Sequence, residues 1–114
     1  MELKLLVHVP DSLRAKTGLT MAQNFLKTQK GEEKLEVRVL FNAQGVTILL
    51  EGDPRLNALM EDLVKQGGEV YFCENALRNF QIEKETLPPY SKTVPAGIRA
   101  LVEWQEEGFR YVRA

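Results

Sequence analysis

Five short strand-like runs, four of them followed by helix-forming segments, constrain this fold more than any other feature. Leu3 to Val9 is a near-continuous apolar run, as expected of a strand buried on both faces. Pro10 and Asp11 end it, and the spacing then predicts a helix over 13–29. Gly18, Ala22, Phe25, Leu26 and Gln29 share one side of that helix; Gly18 weakens its first turns and Gly31 stops it. Leu35–Phe41 alternates and then turns apolar, giving a second strand that ends in the turn Asn42-Ala43-Gln44-Gly45. Val46–Leu50 is a short run open to either strand or helix. Asp53 is placed to cap a helix with Pro54 at its first position and Leu56, Leu59, Met60 and Leu63 as its apolar stripe. Gly67-Gly68 closes that helix.

Glu69–Cys73 is the third strand and 74–80 a short helix. The stretch 81–90 is irregular, because Pro88-Pro89 bars helix there. Ser91–Val94 is a short strand, and Pro95-Ala96-Gly97 opens the last helix with Ile98, Leu101, Val102 and Gln105 on one face. Trp104 lies one step off that stripe, expected to pack against a neighbour or, if exposed, to mark a subunit contact. Phe109–Val112 is the final strand. Such alternation implies right-handed βαβ units, a mainly parallel sheet, and helices on both faces. In open sheets of this kind, ligands bind at the carboxyl ends of the strands. The residues at those ends are His8, Asn42, Cys73 and, after the fourth strand, Pro95 and Gly97.

A chain of 114 residues suits one domain, 1–114, with one core. Its 15 Lys and Arg against 16 Asp and Glu leave no positive excess for nucleic acid or for a basic membrane-surface helix. One cysteine cannot make an intrachain disulfide, so the signature of an oxidising compartment is missing. The N-terminal residues carry charges and lack the apolar core of a signal peptide. No apolar run approaches the ~20 residues that span a bilayer. The expectation is a soluble cytoplasmic protein that binds neither nucleic acid nor membrane.

Cys73 stands where an apolar strand gives way to a helix. Helix N-termini present unpaired N–H groups and partial positive charge, and a thiol there is set up to be a nucleophile or a sulfur carrier. The competing reading is an inert cysteine acting as a small buried hydrophobe. His8, the only histidine, is either a strand residue with satisfied ring nitrogens or a partner that activates Cys73. Asn75 either bonds local backbone or orients the sulfur; Arg78, one turn on, either offers positive charge to it or sits on the surface. One histidine and one cysteine provide no ligand spacing for zinc. Val9-Pro10-Asp11-Ser12 replaces the glycine-rich turn of a dinucleotide fold, and no phosphate-binding loop sequence follows any strand. No cofactor is therefore expected. Glu83, Glu85, Glu103, Glu106 and Glu107 read as solvated surface.

The segment Cys73-Glu74-Asn75-Ala76-Leu77 resembles the Cys-x-Asn-x-Leu element of DsrE/DsrF-like proteins, the sulfur-relay superfamily. Val94-Pro95-Ala96-Gly97-Ile98, then Leu101-Val102, Gln105, Gly108-Phe109 and Tyr111-Val112-Arg113, resembles the C-terminal signature of the same family. His8-Val9-Pro10-Asp11 and Asn42-Ala43-Gln44-Gly45-Val46 follow in order, more diffusely. The resemblance implies a flavodoxin-like three-layer α/β sandwich with a mainly parallel five-stranded sheet. It also implies a homo-oligomer, commonly a trimer or hexamer, and donor and acceptor proteins between which Cys73 would carry sulfane sulfur as a persulfide. Ala76 stands where Ser or Thr is frequent in the family, which removes one hydrogen-bond donor near the sulfur. Two other expectations stay open: an oligomeric small-molecule binding module with Cys73 lining a strand-end pocket and residues 81–90 as its lid or intersubunit arm, and a purely structural assembly subunit.

Overall fold

The computed structural model describes residues 1–114. Its sheet is built from β1 (Glu2–Val9), β2 (Lys34–Phe41), β3 (Glu69–Cys73), β4 (Lys92–Val94) and β5 (Arg110–Arg113). The strand order is β4-β3-β2-β1-β5, and every pair is parallel. The helices are α1 (Ala15–Leu26), α2 (Ile48–Glu51), α3 (Pro54–Lys65), α4 (Glu74–Asn79) and α5 (Gly97–Glu106). Short 3-10 turns at Ser12–Arg14, Ala43–Thr47 and Lys84–Thr86 complete the elements.

The order of the strands decides where the helices lie. From β1 to β4 the chain steps one strand at a time in the same direction. Right-handed crossovers then put α1, α3 and α4 on one face. The last connection runs back across the sheet to its far edge, so α5 covers the opposite face. The two cores reflect this division. Val7, Val9, Val37, Val39, Phe41, Val70 and Phe72 pack under α1, α3 and α4 in a cluster of 18 buried residues. Leu6, Leu40, Ala100, Leu101, Trp104 and Phe109 make a second cluster of 6 under α5.

The element boundaries follow local chemistry. Asp53 Oδ1 accepts the Arg55 N–H and Pro54 opens α3, as its sequence requires. Val46–Leu50 is helical rather than a strand, because Gly45 lies so close to β1 that a Cβ there would meet the Val9 carbonyl oxygen at 2.0 Å. The chain must therefore turn tightly after β2 instead of extending. Gly18 has a related role. It brings α1 onto β1, where a Cβ would stand 2.7 Å from Val9 Cγ2.

The buried face of α5 differs from the stripe expected from its large apolar residues. Gly97, Ala100, Leu101 and Trp104 are buried, whereas Ile98 and Val102 are 71% and 56% exposed. Small residues at 97 and 100 let the helix approach the sheet closely, and that close contact fixes its rotation. Trp104 packs on Tyr71 with ring centroids 4.7 Å apart, and the Arg38 guanidinium lies 4.9 Å from the Trp104 ring and 4.3 Å from that of Phe109. No helix is long and apolar enough to cross a membrane.

Candidate functional site

The point where the connections change face lies between β3 and β4. After β3 the chain enters α4 on one face; after β4 it enters α5 on the other. A crevice at the carboxyl ends of two such strands is where open α/β sheets receive ligands. Cys73 ends β3 and is level with Val94 of β4. Its side chain packs with the larger core, and its Sγ accepts a hydrogen bond from the Gly97 N–H at 3.2 Å. Gly97 is the first residue of α5, a ten-residue helix without a side-chain cap or an acidic residue in its first turn. The sulfur thus takes one of the donors that the helix start leaves free. Cys73 is buried, with 6% of its surface exposed.

Gly97 is needed at this joint for space. A Cβ there would stand 3.0 Å from Asn42 Cβ and 3.3 Å from Cys73 Cβ. Asn42 follows β2 and is held in turn by β1: its Oδ1 lies 2.7 Å from His8 Nε2. His8 Nδ1 lies 2.6 Å from the Tyr111 hydroxyl of β5. With Oδ1 facing the ring, Nε2 is the donor to Asn42 and Nδ1 accepts from Tyr111. Burial pushes the imidazole below its ordinary value of 6.5; the Asn42 hydrogen bond opposes that and the Arg113 charge reinforces it. These residues share one face by parity. Leu6 and His8 of β1, Leu40 of β2 and Asn42 after it, and Tyr71 of β3 alternate onto the α5 side, while Cys73, at the end of β3, meets the start of α5 from the edge of the larger core.

The structure therefore joins His8, Asn42, Cys73 and Gly97 across three strand ends and a helix start. His8 does not reach Cys73, because β2 lies between their strands and Asn42 occupies the intervening position. Asn75 and Arg78 make no hydrogen bond to the sulfur. Both are exposed on α4, and the Arg78 guanidinium donates to Asn75 Oδ1. Pro95 is exposed beside the crevice. Glu74 accepts from Thr93 Oγ1 at 2.7 Å and pairs with Lys84 at 3.2 Å, tying α4 to β4 and to the segment that follows it. Those bonds hold the Glu74 carboxyl below its ordinary value, the Thr93 contact most of all.

Tyr111 is the member of this network that the sequence offered only as part of the C-terminal signature and not as a candidate site residue. Its partner is in the neighbouring strand 103 residues away, and only the placement of β5 beside β1 brings them together. His, Cys, Asp and Glu side chains nowhere gather in threes as a metal site would require. A cavity of about 570 Å³ lies between α3 and residues 86–90, lined by Ile48, Leu49, Leu87, Pro88 and Tyr90 among others, and none of the strand-end residues borders it. Residues 87–90 dock on that side of the molecule, with the Tyr90 hydroxyl donating to the Asn57 carbonyl at 3.2 Å.

The DsrE/DsrF-like family model matches residues 3–114, nearly the whole chain. The chain belongs to the DsrE/DsrF-like family. Solved structures agree in fold. The protein of unknown function MTH1491 from Methanobacterium thermoautotrophicum superposes with a TM-score of 0.84 at 21% identity, over 98% of this chain and 99% of its own. The ychN protein from E. coli gives a TM-score of 0.74 at 17% identity, covering 98% and 100% of the two chains. The conserved protein of unknown function BT1422 from Bacteroides thetaiotaomicron gives 0.73 at 13% identity, covering 97% and 95%. At these identities the likeness establishes the five-stranded parallel three-layer fold and nothing finer. No curated protein matches the chain.

Proposed function

We propose that this member of the DsrE/DsrF-like family is a sulfur carrier, with Cys73 as the acceptor. The observation that carries the reading is the Gly97 N–H donated to Cys73 Sγ at the start of α5. A donor supplied by the fold, in a place from which water is largely excluded, stabilises negative charge on the sulfur while the protein holds it. In the loading step the Cys73 thiolate attacks the outer sulfur of a donor persulfide. A new S–S bond forms at Sγ, the donor's S–S bond breaks, and the donor departs as a thiolate. In the unloading step a thiolate of the acceptor protein attacks the outer sulfur and Cys73 departs as the thiolate. Neither step is a net oxidation or reduction. With one cysteine, the chain has no second thiol to expel the sulfur as an intrachain disulfide, which favours passing it to a partner.

The family membership supports the reading, since sulfur relay is the activity associated with the family in general. The exposed Ile98 and Val102 of α5 support a homo-oligomer. The test is intact-protein mass spectrometry after incubation with glutathione persulfide, before and after reduction. The wild-type chain is expected to gain sulfur reversibly, and Cys73→Ser to fold normally and gain none. A wild-type chain that takes up no sulfur, or a Cys73→Ser variant that loads equally, ends this reading.

A further inference from the structure

We propose that the Asn42 carboxamide binds the outer sulfur of the Cys73 persulfide, and that His8 and Tyr111 are positioning residues that aim it. The inference rests on the carrier reading and concerns what holds the sulfur once it is loaded.

Three observations place Asn42 in that role. First, its Oδ1 is occupied by His8 Nε2 at 2.7 Å, which leaves the Nδ2 hydrogens as the free end of the carboxamide. Second, that Nδ2 and Cys73 Cβ face the same bare surface of Gly97. They lie 3.4 Å and 3.3 Å from the position a Gly97 side chain would take. Asn42 Nδ2 makes no hydrogen bond to Sγ itself, whose partner is the Gly97 N–H. A persulfide extends about 2 Å beyond Sγ, and an outer sulfur directed along the Gly97 side approaches the carboxamide that borders the same glycine. Third, the turn that delivers Asn42 has an unusual backbone. Ala43 has φ 48, in the left-handed region that residues with a Cβ rarely enter. The conformation is kept by Gly45, whose N–H bonds the Asn42 carbonyl at 2.8 Å and whose bare Cα presses on Val9. Strain held beside a candidate site is typical of a side chain that must point one way.

Without His8 the carboxamide could rotate and present its oxygen, an acceptor, to a sulfur that carries negative charge. The His8 ring fixes the choice by facing Oδ1, and Tyr111 fixes the ring by engaging Nδ1. The chain Tyr111–His8–Asn42 thus selects an N–H donor for the outer sulfur, complementing the Gly97 N–H on the inner one.

The test measures how fast loaded protein surrenders its sulfur to cyanide, read as thiocyanate formed, for full-length wild type, Asn42→Ala, Asn42→Asp, His8→Ala, His8→Gln and Tyr111→Phe. Thermal unfolding of each variant is recorded beside it. Loss of one hydrogen bond to a charged sulfur is expected to speed release by about tenfold in Asn42→Ala and Asn42→Asp. Tyr111→Phe, which leaves Asn42 in place, is expected to give a smaller acceleration of about threefold. His8→Gln, whose amide N–H can still reach the Asn42 oxygen, restores slow release relative to His8→Ala. Release at the wild-type rate from both Asn42 variants, with their fold intact, overturns this inference and leaves Cys73 as carrier. Failure of the wild type to load overturns both.

Discussion

Burial takes water from the His8 imidazole, and Arg113 adds a like charge to its protonated form, so the folded ring gives up its proton more readily than the unfolded one. The consequence for stability has a definite sign. Between the lowered folded value and the ordinary 6.5, the unfolded chain binds more protons than the native one, so stability rises with pH. It is fully present above about 6.5 and declines as pH falls through the folded value. Glu69 acts in a lower window. Burial works against its charged form, but Lys92 and Arg38 overcome that and hold the carboxyl below 4.5, so its contribution fades only in more acid solution. Urea unfolding at a series of pH values is expected to show the loss beginning just below 6.5, and His8→Gln is expected to remove that first decline while keeping the acid one. An unchanged profile in the variant would assign the decline to another group. At this scale the positions of several candidate residues were legible. The strand-end rule located His8, Asn42, Cys73 and Gly97 without knowledge of their contacts. Two things were hidden. The Tyr111–His8 bond depends on β5 returning to the edge beside β1, which no local pattern encodes. The pairing of Asn75 with Arg78 depends on which side of a six-residue helix meets the sheet.

At the scale of elements, α5 is the instructive case. Its sequence contains two sets of apolar residues. One is Ile98, Leu101, Val102 with Gln105; the other is Gly97, Ala100, Leu101 and Trp104, which keeps the i, i+3, i+4, i+7 spacing of a buried stripe. Weighing side chains by hydrophobicity favours the first. Close packing selects the second, because small residues allow the helix axis to come down onto β1 and β2 and the tryptophan fills the space that remains. Trp104→Ala is therefore expected to cost about 3–5 kcal/mol of protomer stability. Part of that loss comes from Arg38, whose guanidinium stacks on the ring while paired with Glu69 at 3.3 Å. Ile98→Ser with Val102→Ser should behave in the opposite manner, keeping the far-ultraviolet circular dichroism of the wild type while lowering the mass of the proposed homo-oligomer in light scattering. An unfolded double variant would contradict the observed rotation of the helix. The strands and the capped start of α3 were legible because each rests on local signals, namely apolar runs, turn residues, and Asp53 before Pro54. The short helix over Ile48–Glu51 was not, since what bends the chain there is the contact of Gly45 with Val9, a partner in another strand.

Across the whole molecule, the two faces of the sheet are unequally supported. One carries α1, α3 and α4 over 18 buried residues; the other carries α5 alone over 6. Free energies of local opening scale with the apolar contacts that must be broken, so within a single protomer α5 belongs to the less protected part. This bears on access to the sulfur. Cys73 is nearly closed off, yet a carrier must meet both donor and acceptor, and one group seated on its sulfur is the start of α5. Opening of α5 would uncover Sγ while α1, α3 and the central strands stay folded. Native-state hydrogen exchange of the protomer, released from the proposed oligomer by Ile98→Ser with Val102→Ser, is expected to show faster exchange in α5 than in α1 or α3, with the Gly97 amide, the one bonded to sulfur, exchanging in step with the rest of its helix. Alkylation of Cys73 should then proceed at the rate at which α5 opens, and leucine-to-alanine truncation at Leu101 should accelerate both equally. Should Cys73 react quickly while α5 stays protected, the sulfur must be reached through the crevice between β3 and β4 with the helix in place, and the weaker face would have no part in transfer.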